Sequence, residues 1–369
     1  MNPYPWEDFR PHQQTPYIYG YTCDELTQQI LTMGYREVHG PTLFGLLHRY
    51  GPNLPSWFDG QRLPRGLWHK ITSSDKLDPI HRVEAHQSDD GSTKYRFHIS
   101  GGSVEGIYMP FPGRHTLCIS SQIGCAMGCT FCATGTMGLH RHLSAAEMVS
   151  QVLNIKQRHP DETGKTKRFN VVFMGMGEPL HNLDQVLKAV SVLTDPAGLN
   201  LSPRDVAVST SGLIPKIEQM ATVKKRPQLM VSIAATTDEA RSAIMPVNRA
   251  YPLEDLMRCL ERYPLRKGER VMLSYVLIEN VNDTEEDARR LAAMSQRFPS
   301  LVNVIPMNEH EGSPGFVEPD ESRTNAFANI LLAHGVFTTI RRSRGRDVAG
   351  ACGQLVQKIA RKKNARTYV

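Results

Sequence analysis

From Thr116 to Ile340 the chain repeats one rhythm: a short apolar or β-branched run, then a helical pattern, then another apolar run. Strand patterns fall at 116–120, 170–174, 205–209, 229–233, 270–277, 302–306 and 336–340. Helical patterns begin at Ser144 and recur at 183–193, 214–221, 253–262, 284–298 and 321–334. Parallel strands need long crossovers, and a helix of about 10–15 residues is the usual one. The chain is therefore expected to be α/β, built on a parallel sheet. Six or so βα units exceed what most doubly wound sheets need and fall short of a closed eight. An open, partial (β/α)6 barrel fits best.

Ligands of such a sheet gather beyond the carboxyl ends of the strands. Every unusual polar or glycine-rich segment falls there. Gly124-Cys125-Ala126-Met127-Gly128-Cys129-Thr130-Phe131-Cys132 follows the first strand, and Gly175-Met176-Gly177-Glu178-Pro179 follows the second. Ser209-Thr210-Ser211-Gly212 ends the third, Ser232-Ile233-Ala234-Ala235 ends the fourth, and Asn308 follows the strand at 302–306.

Three of the seven cysteines lie within the first of these loops, spaced C-x3-C-x2-C. Structural zinc takes four ligands, usually as two separated pairs. A cubane iron–sulfur cluster takes four thiolates. Here a fourth nearby cysteine is missing. Cys125, Cys129 and Cys132 could hold a [4Fe-4S] cluster with one iron open to substrate. The rival is a Cys3His zinc site completed by His140 or His142. The other cysteines, Cys23, Cys118, Cys259 and Cys352, read as ordinary buried thiols when taken singly.

No run of 18 apolar residues suggests a membrane span. The N-terminus lacks a charged region followed by an apolar core, so a secretory signal is not expected. A cytoplasmic location follows, where clustered cysteines mean metal or catalysis rather than disulfides. The formal charge of +6 is a modest bias toward an anionic partner. It concentrates at 224–226, in Arg341-Arg342-Ser343-Arg344-Gly345-Arg346 and at 358–366. The second run closely precedes Cys352 and could both favour its thiolate and hold the phosphates of an anionic partner. Three parts are expected: a small α+β accessory or RNA-binding domain at 1–110, the core barrel at 111–345, and a catalytic-cysteine segment with a basic tail at 346–369. In the first, a helical pattern over 23–49 turns at Gly40-Pro41, and short strands follow.

The cysteine loop, with an aromatic before its last cysteine and Gly-Glu-Pro after the next strand, resembles the radical S-adenosylmethionine superfamily. Leu117-Cys118-Ile119-Ser120-Ser121-Gln122, Phe173-Met174-Gly175-Met176-Gly177-Glu178-Pro179-Leu180 and Gly350-Ala351-Cys352-Gly353-Gln354-Leu355 narrow this to its RNA adenine methyltransferases, the RlmN and Cfr type. The likeness covers about residues 100–356 and is closest to the branch that methylates adenine C2 in rRNA and tRNA. It implies a radical-SAM barrel, a [4Fe-4S] cluster on three cysteines and S-adenosyl-L-methionine. It implies 23S rRNA, and also tRNA, as partners. A flavodoxin-type electron donor and a monomer complete the expectation.

Carbon-2 of adenine is electron-poor and will not attack a methyl sulfonium. The resemblance implies a route around this. Cys352 is methylated first, a radical takes a hydrogen from that methyl group, and the resulting carbon adds to the ring. Glu105, in Ser103-Val104-Glu105-Gly106, stands where the family places a proton acceptor, and Cys118 attacks Cys352 to release the product. Gly177, Glu178, Ser209, Ser232, Ile233, Ala234 and Asn308 are the implied S-adenosylmethionine contacts. The family commonly has Ser-Leu-His where this chain has Ser232-Ile233-Ala234, so an imidazole is lost. Pro179 favours C2 over the alternative, C8, whose enzymes tend to carry alanine there.

Overall fold

The computed structural model describes residues 16–56, 63–160, 169–313, 315–355 and 366–368. Helix α1 (Cys23–Thr32) opens on a capping box in which Thr22 and Glu25 satisfy each other's backbone amides. Helix α2 (His39–Tyr50) begins before Gly40-Pro41, not after it. Proline belongs in a first turn because the hydrogen it lacks would have no helical partner there. A third helix, α3, spans Arg65–Thr72.

Strands β1 (Arg82–Gln87), β2 (Thr93–Ile99), β3 (Gly102–Phe111) and β4 (Arg114–Ile119) form an antiparallel meander. Strand β4 then pairs in parallel with β7 (Phe169–Phe173). Between them, β5 (Gln122–Cys125) and β6 (Gly138–His142) make a hairpin around the cysteine loop, and α4 (Ala145–Arg158) provides the crossover. The sheet continues through β8 (Val206–Thr210), β9 (Gln228–Ser232), β10 (Val271–Leu277), β11 (Ser300–Pro306) and the three-residue β12 (Thr338–Ile340), all parallel. The backbone of β13 (Arg366–Tyr368) pairs antiparallel with β1.

Strand order in the parallel part follows chain order without reversal. That is a partial (β/α) barrel, since a doubly wound sheet reverses at a switch point. Six strands of five to seven residues carry it, with β12 as a short addition. The sheet also crosses 110/111 without a break, because Ile107 on β3 sits opposite Cys118 on β4. The antiparallel strands thus share the core's backbone hydrogen bonds.

Helices α5 (Leu183–Leu193), α6 (Ile214–Ala221), α7 (Asp238–Ile244), α8 (Leu253–Glu261), α9 (Glu285–Ser295) and α10 (Glu321–Ala333) connect the later strands. Val171, Val206, Val208, Val231, Leu273, Val302 and Val304 have no exposed surface. A parallel sheet covered by helices demands such β-branched runs. Ser144 and Glu147 form the capping box expected at the start of α4. No helix among the described residues is long and apolar enough to cross a membrane.

Candidate active site

Cys125 ends β5. The chain reaches it through Gly124, whose φ of +75° suits glycine; a Cβ there would lie 1.9 Å from the Gly138 carbonyl oxygen on the facing strand. The loop is then tied down on several sides. The Thr130 amide donates to the Ile244 carbonyl at 3.0 Å, and the Ala133 amide to Gly353 at 2.7 Å. The Thr134 hydroxyl donates to Leu355 at 2.7 Å, and His310 contacts the Phe131 carbonyl at 3.1 Å. Cys125, Cys129 and Cys132 all face one open cavity with about 960 Å³ of atom-free space. Burial raises the pKa of all three thiols. Loading a metal centre must therefore displace protons.

The same wall carries Gly177, Glu178, Ser209, Ser232 and Asn308, along with Thr210, Ser211 and Ser274. Glu178 is buried; its carboxylate accepts the Ser211 amide at 2.8 Å and the Leu180 amide at 3.0 Å. Burial raises its pKa, and those hydrogen bonds oppose the shift. No cation among the described residues pairs with it at ion-pair distance. Asn308 Oδ1, Ser211 Oγ and Ser274 Oγ are buried without a partner. Buried polar groups are normally satisfied. A carboxylate without a cationic partner and three orphaned oxygens on one wall fit a polar ligand carrying an ammonium group, as S-adenosylmethionine does.

Ile233 and Ala234 are not brought to this cavity. Both are fully buried. The Ile233 amide donates to Ser274, its carbonyl accepts from Arg241, and the Ala234 carbonyl accepts from Asn282. Ala234 has φ +58°, which turns the chain away just past the strand end. Ser274 was legible only as a polar break in an apolar strand, and Arg241 carried no sequence signal.

A second cavity, with about 480 Å³ of atom-free space, adjoins the first. Cys352, Met174 and Leu355 line both. Its wall also holds Cys118, Arg341, Arg342, Arg344, Ile107, Met109 and Phe111. The segment carrying Cys352 is fastened to the β1–β2 turn. Asp347 accepts from the Ser88 hydroxyl at 2.5 Å, Asp90 accepts from the Gly345 amide at 2.9 Å, and Lys94 donates to the Ala349 carbonyl at 3.0 Å. On the other side, Asn308 Nδ2 donates to the Cys352 carbonyl at 2.9 Å and to the Ser343 hydroxyl at 2.8 Å.

The arginine run does not act as one patch. Arg342 pairs with Glu321 at 2.5 Å, Arg346 with Glu318 at 2.7 Å, and Arg344 lies over the Phe111 ring at 4.4 Å. Arg341 is the member that lowers the pKa of both Cys118 and Cys352. Burial outweighs it: Cys352 is raised and Cys118 is pushed up to about 12. Both cysteines are free thiols. In the unloaded protein, iodoacetamide labelling of Cys118 should then climb about tenfold per pH unit from pH 7 to 10. Peptide mass spectrometry reads the rate; a plateau near the ordinary thiol pKa would contradict the buried setting. The basic stretch 358–365 lies outside the described residues.

Glu105 is buried on β3, 2.9 Å from Lys94 and 3.1 Å from Arg96. Burial raises its pKa and the two cations oppose that. Its carbonyl accepts the Ser120 hydroxyl at 2.6 Å, and Ser120 Oγ accepts the Met176 amide at 2.7 Å. The zinc alternative finds no support. His140 is exposed, and His142 Nδ1 is engaged with the Gln122 amide at 2.9 Å. No three His, Cys, Asp or Glu side chains among the described residues converge on a single-ion site.

A parallel partial barrel with three thiols of C-x3-C-x2-C spacing at its carboxyl rim, facing a buried glutamate, defines a radical S-adenosylmethionine enzyme. The Radical SAM superfamily model matches residues 119–292. A dual-specificity RNA methyltransferase RlmN from Syntrophotalea carbinolica is 41% identical over 342 residues, covering 92% of this chain and 89% of that one. The RlmN of Syntrophobacter fumaroxidans is 40% identical, with 91% and 96% covered. The crystal structure of a radical SAM methyltransferase from Sphaerobacter thermophilus matches at a TM-score of 0.86 and 37% identity, covering 93% of this chain and 100% of that one. The chain belongs to the RlmN family of RNA methyltransferases. It is an S-adenosylmethionine-dependent RNA methyltransferase with a [4Fe-4S] cluster on three cysteines.

Proposed function

We propose that this enzyme methylates C2 of an adenosine in 23S rRNA, and an adenosine of tRNA, through a methylated Cys352. One observation carries the reading. Cys352 stands in the wall shared by the thiol-lined cavity and the cavity holding Cys118 and Arg341. A sulfur so placed can take a methyl group on one side and present it to a base on the other. The cluster and S-adenosylmethionine, when bound, supply the one-electron chemistry that an electron-poor ring carbon requires.

The remaining work falls to side chains. Cys352 Sγ carries the methyl carbon. Glu105 accepts the ring proton, and its raised pKa brings the carboxylate closer to the pH at which it must work. The Cys118 thiolate attacks Cys352 Sγ, the bond from that sulfur to the transferred carbon breaks, the carbon keeps the electron pair and takes up a proton, and the methylated base leaves as a Cys118–Cys352 disulfide forms. Arg341 stabilises the thiolates that these steps need. Gly177, Glu178, Ser209, Ser232 and Asn308 hold S-adenosylmethionine. The enzyme works as a cytoplasmic monomer with a flavodoxin-type donor.

The test is nucleoside mass spectrometry of rRNA and tRNA after reaction with the reconstituted enzyme. 2-Methyladenosine is expected; 8-methyladenosine, or no methylated adenosine, sinks the reading. Pro179 supports C2. Replacing the releasing thiol supplies a second check. Cys118→Ala should leave RNA covalently bound to the protein, visible as a shifted band that resists denaturant. Turnover to free methylated RNA by that variant would remove Cys118 from the scheme.

A further inference from the structure

Arg241 on α7 has no exposed surface. Its guanidinium makes four hydrogen bonds, two of them to carbonyls of residues that line the thiol-lined cavity, Ser211 and Ser232. Nη2 donates to the carbonyls of Ser211 at 2.7 Å and Ser232 at 3.1 Å, Nε to Ile233 at 3.0 Å, and Nη1 to Asn248 Oδ1 at 2.9 Å. Every one of these acceptors is neutral. No carboxylate among the described residues lies within ion-pair distance of it. A buried arginine without an anion is rare, because an unpaired charge loses its hydration without an opposite charge to offset the loss.

Two carboxylates come near without meeting the charge. Asp238 is exposed at the start of α7, where it accepts from Asn248 at 2.9 Å and from the Leu253 amide at 2.8 Å. Glu178 touches the opposite end of Ser211, through its amide, and faces the cavity. An ammonium-bearing ligand there would take up the Glu178 charge. The cysteine loop is fastened to the helix that carries Arg241. Arg241 O accepts the Met245 amide at 2.6 Å, Ile244 O accepts the Thr130 amide, and Met245 lines the cavity beside Cys129. Burial pulls the guanidinium down to about 10, and Cys129 and then Asp238 act to raise it again.

We propose that Arg241 is a positioning residue whose fixed charge is the counter-charge of the iron–sulfur cluster, and that it raises the cluster's reduction potential. A [4Fe-4S] core on three thiolates is a net anion, and reduction makes it more so. A cation held in a low-dielectric wall therefore favours the reduced state. The inference rests on membership of the radical S-adenosylmethionine class and not on which RNA atom is methylated.

The test uses the full chain, reconstituted anaerobically, as Arg241→Gln and Arg241→Lys. Iron and sulfide per chain report loading, and an EPR-monitored redox titration without S-adenosylmethionine reports the midpoint. Arg241→Gln is expected to shift the midpoint to a more negative value at full iron content, while Arg241→Lys stays close to the unsubstituted enzyme. A glutamine variant that is fully loaded with an unchanged midpoint overturns the proposal. Should Arg241→Gln fail to hold iron, the lysine variant decides. A midpoint kept by lysine, which preserves the charge but not the four hydrogen bonds, supports the proposal. A midpoint shifted negative in Arg241→Lys overturns it, because geometry and not charge would then be setting the potential.

Discussion

Cys352→Ala should abolish RNA methylation while leaving the iron content of the reconstituted protein unchanged. The expected loss is complete within detection, because the variant removes the atom that carries the transferred carbon and not an auxiliary contact. The structure explains why the cluster should survive. Cys125, Cys129 and Cys132 hang on the loop after β5, anchored by Ile244, Gly353 and Leu355 backbone groups. Cys352 contributes its carbonyl, not its sulfur, to the hydrogen bond with Asn308. Alanine keeps that bond. Methylation is read by nucleoside mass spectrometry and loading by iron analysis and absorbance. Residual methylation well above background would mean that the methyl group reaches RNA without Cys352.

Gly177→Ala should cost both folding stability and S-adenosylmethionine binding. Gly177 has φ +103°, a conformation that L side chains rarely adopt. An added Cβ would lie 2.5 Å from Gln122 Cβ and 2.8 Å from Gln122 Oε1. Gln122 cannot simply swing aside. Its Oε1 accepts the Glu178 amide at 2.8 Å and its amide nitrogen meets His142 at 2.9 Å. Backbone strain and overpacking together are expected to cost about 2–5 kcal/mol. The apparent thermal midpoint of the unloaded protein should drop, and titration calorimetry should show weakened S-adenosylmethionine binding. Glu178 hangs on the same turn, so moving Gly177 moves the carboxylate. A variant with unchanged midpoint and affinity would show that the turn adapts freely.

Gly177 and Glu178 stand after a strand in a βα chain, where ligand groups collect, and their residue types already name a close approach and a charge. Ser209, Ser232 and Asn308 follow the same strand-end logic and face the same cavity. Ile233 and Ala234 share that position in sequence, yet a left-handed turn at Ala234 buries them. Which way a strand-end residue points depends on one dihedral angle, and no periodicity reports it.

The arginine run is divided in the fold. Of its four arginines, Arg342 pairs with Glu321, Arg346 with Glu318, and Arg344 lies over the Phe111 ring. Arg341 alone of the run acts on both thiols among the described residues. Glu105 was legible as a proton acceptor only through the resemblance. Cross-strand register places Arg96 directly opposite, and Lys94 joins it, so the carboxylate is buried and paired. Gly40-Pro41 suggested a turn and instead opens a helix.

By itself the sequence determined the alternation of strands and helices, the parallel sheet and the loop of three thiols at its carboxyl rim. Those properties are local: they follow from periodicity, residue spacing and the crossover that parallel strands require. Only the tertiary structure decided which distant residues share a wall. It set Cys352 between two cavities with Cys118 across one of them, and placed the neutral backbone of two strand ends around Arg241. Such meetings depend on how the sheet's edges and loops close on each other in space. That closure is fixed by the burial of side chains far apart in the chain, and spacing along the sequence carries no measure of it.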